Sequence, residues 1–150
     1  MDHDIQNYFR NTHRLEIGDR TAEQIKISVG SAMRSRSKNI LVKGRDLVSG
    51  IPKTIDVRSD EIRQALKDSV KRILEVVKDA LESTPPELSS DIIDRGILVA
   101  GGGAQLRGLD QVIREKTNVP CNVVEEPHLA IVKGCGKIIE DLEKYKHVLI

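Results

Sequence analysis

The sequence predicts an α/β protein preceded by a smaller α+β region, and three features carry that expectation. An amphipathic helical pattern runs from about residue 59 to residue 82. An apolar run at residues 96–100 ends in three consecutive glycines, Gly101, Gly102 and Gly103, and a helical pattern follows. Upstream, Ile40 and Val42 alternate with polar neighbours, as do Ile55 and Val57. Alternation of that kind is the period of a half-buried strand.

Ile5, Tyr8 and Phe9 share a helical face within residues 2–12, and Gly18-Asp19 breaks the pattern. Thr21 lies three residues before Gln24, a capping-box spacing. Ala22, Ile25, Val29 and Ala32 then predict a helix over 22–33. The polar, basic stretch 34–38 leads into two antiparallel strands within 39–45 and 53–59, joined by a loop containing Gly50 and Pro52. Ser59 is the expected N-cap of the long helix, with Asp60 and Glu61 favoured in its first turn by the helix dipole. Pro85 and Pro86 end it, and ELSSDII forms a turn or short helical piece. Leu109, Val112 and Ile113 predict a helix to about Lys116, closed by Asn118. PCNVV (120–124) is a second buried strand. A last helix is expected from about His128 to Lys144, with Ile131, Cys135, Ile138 and Leu142 on its inner face and Ala130, Gly134 and Gly136 allowing close approach to a sheet. Two regions result, residues 1–58 and residues 59–150. Two parallel strands make a poor sheet by themselves, because parallel strands are normally covered on both faces. The second region therefore reads as part of something larger.

Composition narrows the function. A chain of 150 residues is long enough for a real core. A net charge of +1 supplies no field for nucleic acid or an anionic membrane. Aromatics are Tyr8, Phe9 and Tyr145 only, too few for a base-stacking platform. Cys121 and Cys135 are not spaced as a metal or redox pair, and two free thiols suit a reducing, cytosolic compartment. The amino terminus lacks an apolar signal core, and no run approaches the roughly 18 apolar residues of a membrane span. A soluble chain with no membrane anchor of its own is expected. His3, His13, His128 and His147 have no partners at metal spacing and are expected at the surface. Arg34, Arg36, Lys38, Lys43 and Arg45 cluster around the first hairpin strand and read as a solvated loop, the alternative being a contact with an acidic partner or a filament neighbour, and Asp91, Asp94, Glu125 and Glu126 read as caps and loops.

The glycine run points to nucleotide binding. Three glycines leave no side chains between the backbone and an approaching group. At the end of a buried strand, such a turn admits phosphates or sugars. The dinucleotide fingerprint fails, since Leu106 stands where its third glycine belongs, and Gly136-Lys137-Ile138 does not complete a Walker A loop. No Ser, His or Cys lies in the run, so it is a binding loop and not a nucleophile elbow. The bland alternative is a tight strand-to-helix turn without a ligand.

Four separated segments, 21–32, 43–62, 85–113 and 119–140, together resemble the C-terminal part of the MreB family, the bacterial actin-like rod-shape-determining proteins. The resemblance runs over nearly the whole chain. It implies an α/β, partial actin-like (ribonuclease H-like) ATPase lobe with a small α+β subdomain. Residues 1–58 would be the small upper subdomain and residues 59–150 an incomplete lower one. Residues 96–105 resemble the family's adenosine motif, which carries Gly101, Gly102, Gly103 and Ala104 over as nucleotide-binding residues. Glu23, Gln24, Ile25 and Lys26 resemble its second adenosine contact. A carboxylate can accept from ribose hydroxyls, and an ammonium can lie near the sugar or base. Taken alone, Glu23 and Lys26 would be ordinary solvated helix residues.

The resemblance also implies ATP as ligand, slow hydrolysis in the parent, and self-association into cytoplasmic, membrane-associated filaments that guide rod shape and cell-wall synthesis. The family's phosphate loops, catalytic acid, Mg ligands and membrane anchor are expected outside this segment, so no catalytic or metal residue is assigned here. A complementary N-terminal chain is one possible partner. The alternatives are another ATPase of the superfamily, such as a heat-shock chaperone or sugar kinase, and a truncated relict without nucleotide binding. Gln105 departs from the Leu common at that point in the family.

Overall fold

A computed structural model describes residues 1–34, 36 and 38–148. Ser35 and Ser37, in the basic stretch, lie outside the described residues. The chain opens with helix α1 (Asp2–Tyr8), which widens into a single π-helical stretch, Phe9–His13, and stops at Arg14 in the left-handed conformation (φ 52°). Ile5 and Phe9 are completely buried. They seat α1 against α2 (Asp19–Val29) and the long helix α3 (Ser59–Glu82).

Helix α2 begins earlier and ends earlier than its sequence pattern predicts. Gly18 is the N-cap, so Thr21 lies inside the helix and no capping box forms there. The helix stops at Gly30, whose N–H closes the last turn on the Lys26 carbonyl (2.9 Å). A Cβ at Gly30 would come within 2.3 Å of that oxygen and 3.2 Å of Leu106 Cδ1, so the exit from the helix needs glycine.

The expected hairpin is present as β2 (Asn39–Asp46) and β3 (Pro52–Arg58), in register from Asn39↔Arg58 to Arg45↔Pro52. A third strand, β1 (Leu15–Glu16), joins the other edge of β2. Two residues are too few to show a strand period, so the sequence pattern hides it. Gly44 admits it, because a Cβ there would lie 2.4 Å from the Glu16 carbonyl. Asp46 organises the hairpin turn. Its carboxylate accepts from the Val48 and Ser49 N–H groups (2.8 and 2.9 Å) and pairs with Lys53 (2.7 Å). The Lys53 hydrogen bond, then the two backbone N–H groups, hold its carboxyl far below the ordinary aspartate value of 3.8.

Ser59 starts α3 but does not cap it. Its hydroxyl accepts from the Lys38 N–H (3.0 Å), and the cap falls to Arg58, whose N–H donates to the Glu61 carboxylate (3.1 Å). Glu61 is also 2.8 Å from His13 Nε2 and accepts from the Tyr8 hydroxyl (3.3 Å). His13 is therefore half-buried in a polar cluster rather than a free surface residue. Burial works to raise the Glu61 carboxyl, but the Arg58 N–H and His13 outweigh it and hold it below the ordinary value. Ile62, Leu66 and Val70 bury one stripe of α3; beyond them the apolar residues are only partly covered.

Helix α4 (Pro86–Arg95) fills the ELSSDII region with Pro86 at its first turn. Strand β4 (Ile97–Val99) pairs in parallel with β5 (Cys121–Val123), and α5 (Leu109–Thr117), ended by left-handed Asn118, connects them. Leu109, Ile113 and Cys121 join the apolar cluster that contains Ile5, Phe9, Val57 and Leu66, so one core runs through both regions of the sequence. Helix α6 (Ala130–Glu140) is shorter than expected and buries none of its residues. Its expected inner face is mostly uncovered: Ile131 is 70% and Leu142 50% exposed, Cys135 is exposed too, and of the four residues only Ile138 is partly covered. Side chains at Gly134 and Gly136 would meet nothing within 4 Å, so these glycines serve no close approach here.

Two outcomes follow for stability. Leu66→Ala, at the junction of the two regions, is expected to cost about 2–5 kcal/mol in denaturant unfolding. The Asp46 carboxylate is stabilised by folding, so its contribution is complete above pH 3.8 and is lost as pH falls below that value. Asp46→Asn should be less stable than the native chain at neutral pH, and acid thermal melts should show the gap closing as pH drops.

Candidate functional site

A cleft of about 290 Å³ opens between α2 and the glycine loop. One wall is a helix face. Ala22, Ile25 and Val29 turn inward to the core, so Glu23, Lys26, Ile27 and Gly30, offset by three and four residues, turn to the cleft. The other wall is the 3-10 turn Gly102–Gln105 and its continuation, with Gly102, Gly103, Gln105, Leu106 and Arg107 lining the space. Met1 closes one end.

The glycine loop is shaped by its first member. Gly101 has φ 85°, a conformation that side chains resist, and its N–H donates to the Pro127 carbonyl (2.7 Å). Gly102 and Gly103 have no such requirement, and a Cβ at either would meet nothing within 4 Å. Within the chain, neither position needs glycine for packing. Both are exposed and present bare backbone to the cleft. Ala104 is buried and anchors the turn from beneath.

A clasp holds the two walls together. Ser31 forms an isolated parallel bridge with Arg107, and the Ala32 N–H donates to the Arg107 carbonyl (2.8 Å). The Ser31 hydroxyl shares its proton between the Met33 carbonyl (2.9 Å) and the same Arg107 carbonyl (3.2 Å), and the Arg107 guanidinium donates back to the Ser28 carbonyl (2.7 Å). Leu106, 8% exposed, packs against Gly30.

Of the residues the sequence singles out, the fold brings Glu23, Lys26, Gly102 and Gly103 to the cleft. Ile25 is buried in the core, and Gln24 is exposed away from the cleft lining. Gly101 and Ala104 frame the loop without lining the space. Glu23 is exposed. Lys26 is half-buried and paired with Asp2 at 2.9 Å. Sequence reasoning misses Ile27, Leu106 and Arg107. Ile27 leaves one signal: it is apolar yet lies off the core stripe, and it is 67% exposed. Gln105 contacts His128 (3.2 Å) beside the cleft. Neither cysteine belongs to the site; burial pushes the Cys121 thiol up, which suits a packing residue and not a nucleophile.

The cleft thus combines the Glu23 carboxylate, the Lys26 and Arg107 cations, three apolar side chains (Met1, Ile27 and Leu106) and uncovered backbone amides in a space at the small end of the roughly 300–1,000 Å³ of ligand pockets.

The MreB/Mbl protein family model matches residues 1–147. The chain is 46% identical over 145 residues to the cell shape-determining protein Mbl of Bacillus subtilis (strain 168), covering 96% of this chain and 44% of Mbl. It is 41% identical over 146 residues to the cell shape-determining protein MreB of Escherichia coli (strain K12), covering 97% of this chain and 42% of that protein. Its fold matches the crystal structure of MreB5 of Spiroplasma citri bound to ADP with a TM-score of 0.90 and 33% identity, over 97% of this chain and 45% of that one. The chain spans less than half the length of these relatives. Its α/β architecture is a partial actin-like lobe, and the chain belongs to the MreB/Mbl family.

Proposed function

We propose that this chain is the nucleoside-holding part of a bacterial actin-like, cell-shape cytoskeletal protein, and that the cleft between α2 and the glycine loop takes the adenosine portion of ATP or ADP. The observation that carries this reading is the bare backbone of Gly102 and Gly103, which no packing within the chain requires, facing Glu23 and Lys26. Glu23 would accept from ribose hydroxyls, and Lys26 would lie near the sugar. Ile27 and Leu106 offer apolar surface to a flat base. Gly101, Ala104, Gln24 and Ile25 serve as frame, setting the loop and the helix face. The ADP in the MreB5 structure supports the choice of nucleotide.

In this reading the phosphates and the magnesium ion are held by polypeptide outside these 150 residues, within the parent protein or on a complementary N-terminal chain. The isolated chain then binds nucleotide weakly and releases no phosphate from ATP. In this reading residues 1–58 are the small upper subdomain and residues 59–150 an incomplete lower one. The parent is a cytoplasmic protein that self-associates into filaments.

Thermal melts with and without ADP test the site. The native chain should melt at a higher temperature as ADP rises, by mass action on the folded state. Gly103→Val should melt near the native temperature without ligand, since its side chain enters open space, and should lose the ADP-dependent rise. Gly101→Ala should instead lower the ligand-free stability by about 1–3 kcal/mol, the cost of forcing a side chain into a positive-φ extended conformation that is essentially reserved for glycine. A native chain that shows no rise at millimolar ADP would favour the relict without nucleotide binding. Sustained ATP hydrolysis by the isolated chain would contradict the assignment of the phosphate groups elsewhere.

A further inference from the structure

Gln105 differs in kind from the other side chains that line the cleft. Glu23 accepts, Lys26 and Arg107 donate, and the side chains of Met1, Ile27 and Leu106 are apolar. Among the described residues lining the space, Gln105 alone has a side chain that both donates and accepts. The two cations are also engaged within the chain. Lys26 pairs with Asp2 (2.9 Å), and the Arg107 guanidinium donates to the Ser28 carbonyl (2.7 Å).

The Gln105 amide is held in one orientation. Its Nε2 lies 3.2 Å from His128 Nδ1. A neutral imidazole whose Nδ1 carries no proton accepts one of the two amide hydrogens there. The segment that carries His128 is anchored to the same loop. His128 follows Pro127, whose carbonyl accepts from the Gly101 N–H (2.7 Å), and Gly101 starts the 3-10 turn that ends at Gln105. With one N–H committed to His128, the amide keeps one N–H and its Oε1 for a ligand, in a fixed order.

That order matches one purine. Adenine sets a donor, its N6–H, beside an acceptor, N7, and a glutamine amide pairs with both. Guanine places an acceptor, O6, at the same position on the ring. The amide meets adenine with its oxygen toward the six-position, and meets guanine only after turning end for end. Turning would withdraw Nε2 from His128 and set Oε1 against Nδ1, acceptor against acceptor. We infer that Gln105 reads the six-position edge of the base and selects adenine over guanine, with His128 as the positioning residue that fixes which end of the amide faces the ligand. This rests on the reading that the cleft takes a purine nucleoside, and it names the group that tells one purine from another.

ADP and GDP carry the same ribose and phosphates, so the ratio of their dissociation constants isolates the base. Proton–nitrogen NMR titrations of the 150-residue chain should give a Kd about five- to tenfold lower for ADP, the low end of what a bidentate base contact discriminates. ADP should also shift the Gln105 side-chain amide protons. Gln105→Leu should bring the two constants within about twofold. His128→Ala should do the same by releasing the amide, and His128→Asn, whose Oδ1 replaces Nδ1 as acceptor, should restore most of the preference. Each ratio is read within one variant, so a change in stability does not enter it. Equal binding of ADP and GDP by the native chain would overturn the inference while leaving the cleft a nucleoside site; binding of neither would overturn both. A native ratio in Gln105→Leu or His128→Ala, or no recovery in His128→Asn, would also overturn it. If a variant fails to fold, the native chain decides: a preference for ADP with a moving Gln105 resonance supports the inference, and an unmoved resonance overturns it.

Discussion

The clasp between the end of α2 and Arg107 is the interaction on which the candidate site depends. Ser31 and Arg107 lie 76 residues apart in sequence, yet three hydrogen bonds join residues 28–32 to residue 107. Gly30 makes this possible by leaving the helix without a side chain, which lets Leu106 close against the turn. Without that close approach, the Glu23 and Lys26 face and the glycine loop would belong to separate surfaces. With it, two segments that each look ordinary become the walls of one cleft.

Beneath the clasp, the core supplies rigidity. Ile62 and Leu66 on α3 lie in the same apolar cluster as Ile5 and Phe9 from the first region and Ile113 and Cys121 from the second. Ion pairs add little here, because most are exposed and such pairs contribute about 0–1 kcal/mol each. The Tyr8–His13–Glu61 cluster is different in kind, since it ties the end of the first helical segment to the first turn of α3 through half-buried groups.

Where a helix or strand is long and one face is buried, the sequence pattern reads correctly: the hairpin, α3 and α5 all fall where periodicity places them, whereas the two parallel strands lie where expected but are three residues each and, with Leu98 and Val123 exposed, are not the buried strands that their apolar runs predict. Failures arise where local signals compete. Thr21 and Gln24 have capping-box spacing, but Gly18 starts the helix earlier. Ser59 looks like a cap, but Lys38 takes its hydroxyl. Strand β1 is too short to carry a period and depends on the close approach that Gly44 allows. Helix α6 shows the opposite failure. Its amphipathic stripe is plain in sequence, yet the surface it would cover is not supplied by the described residues. For the site, the glycines and Glu23/Lys26 were legible, but their convergence was not, because it depends on a contact between Gly30 and Leu106 that no local pattern records.

In the proposed reading, the arrangement takes one half of a ligand. It offers backbone, a carboxylate and apolar surface suited to a nucleoside, and no cradle for a phosphate chain is assigned to it. The most direct test of the central claim, that both walls act as a single site, is a proton–nitrogen NMR titration of the chain with ADP. The account predicts that amides of residues 23–27 and of Gly102 and Gly103 shift together along one binding curve. Shifts confined to one wall, or two curves with different midpoints, would contradict it.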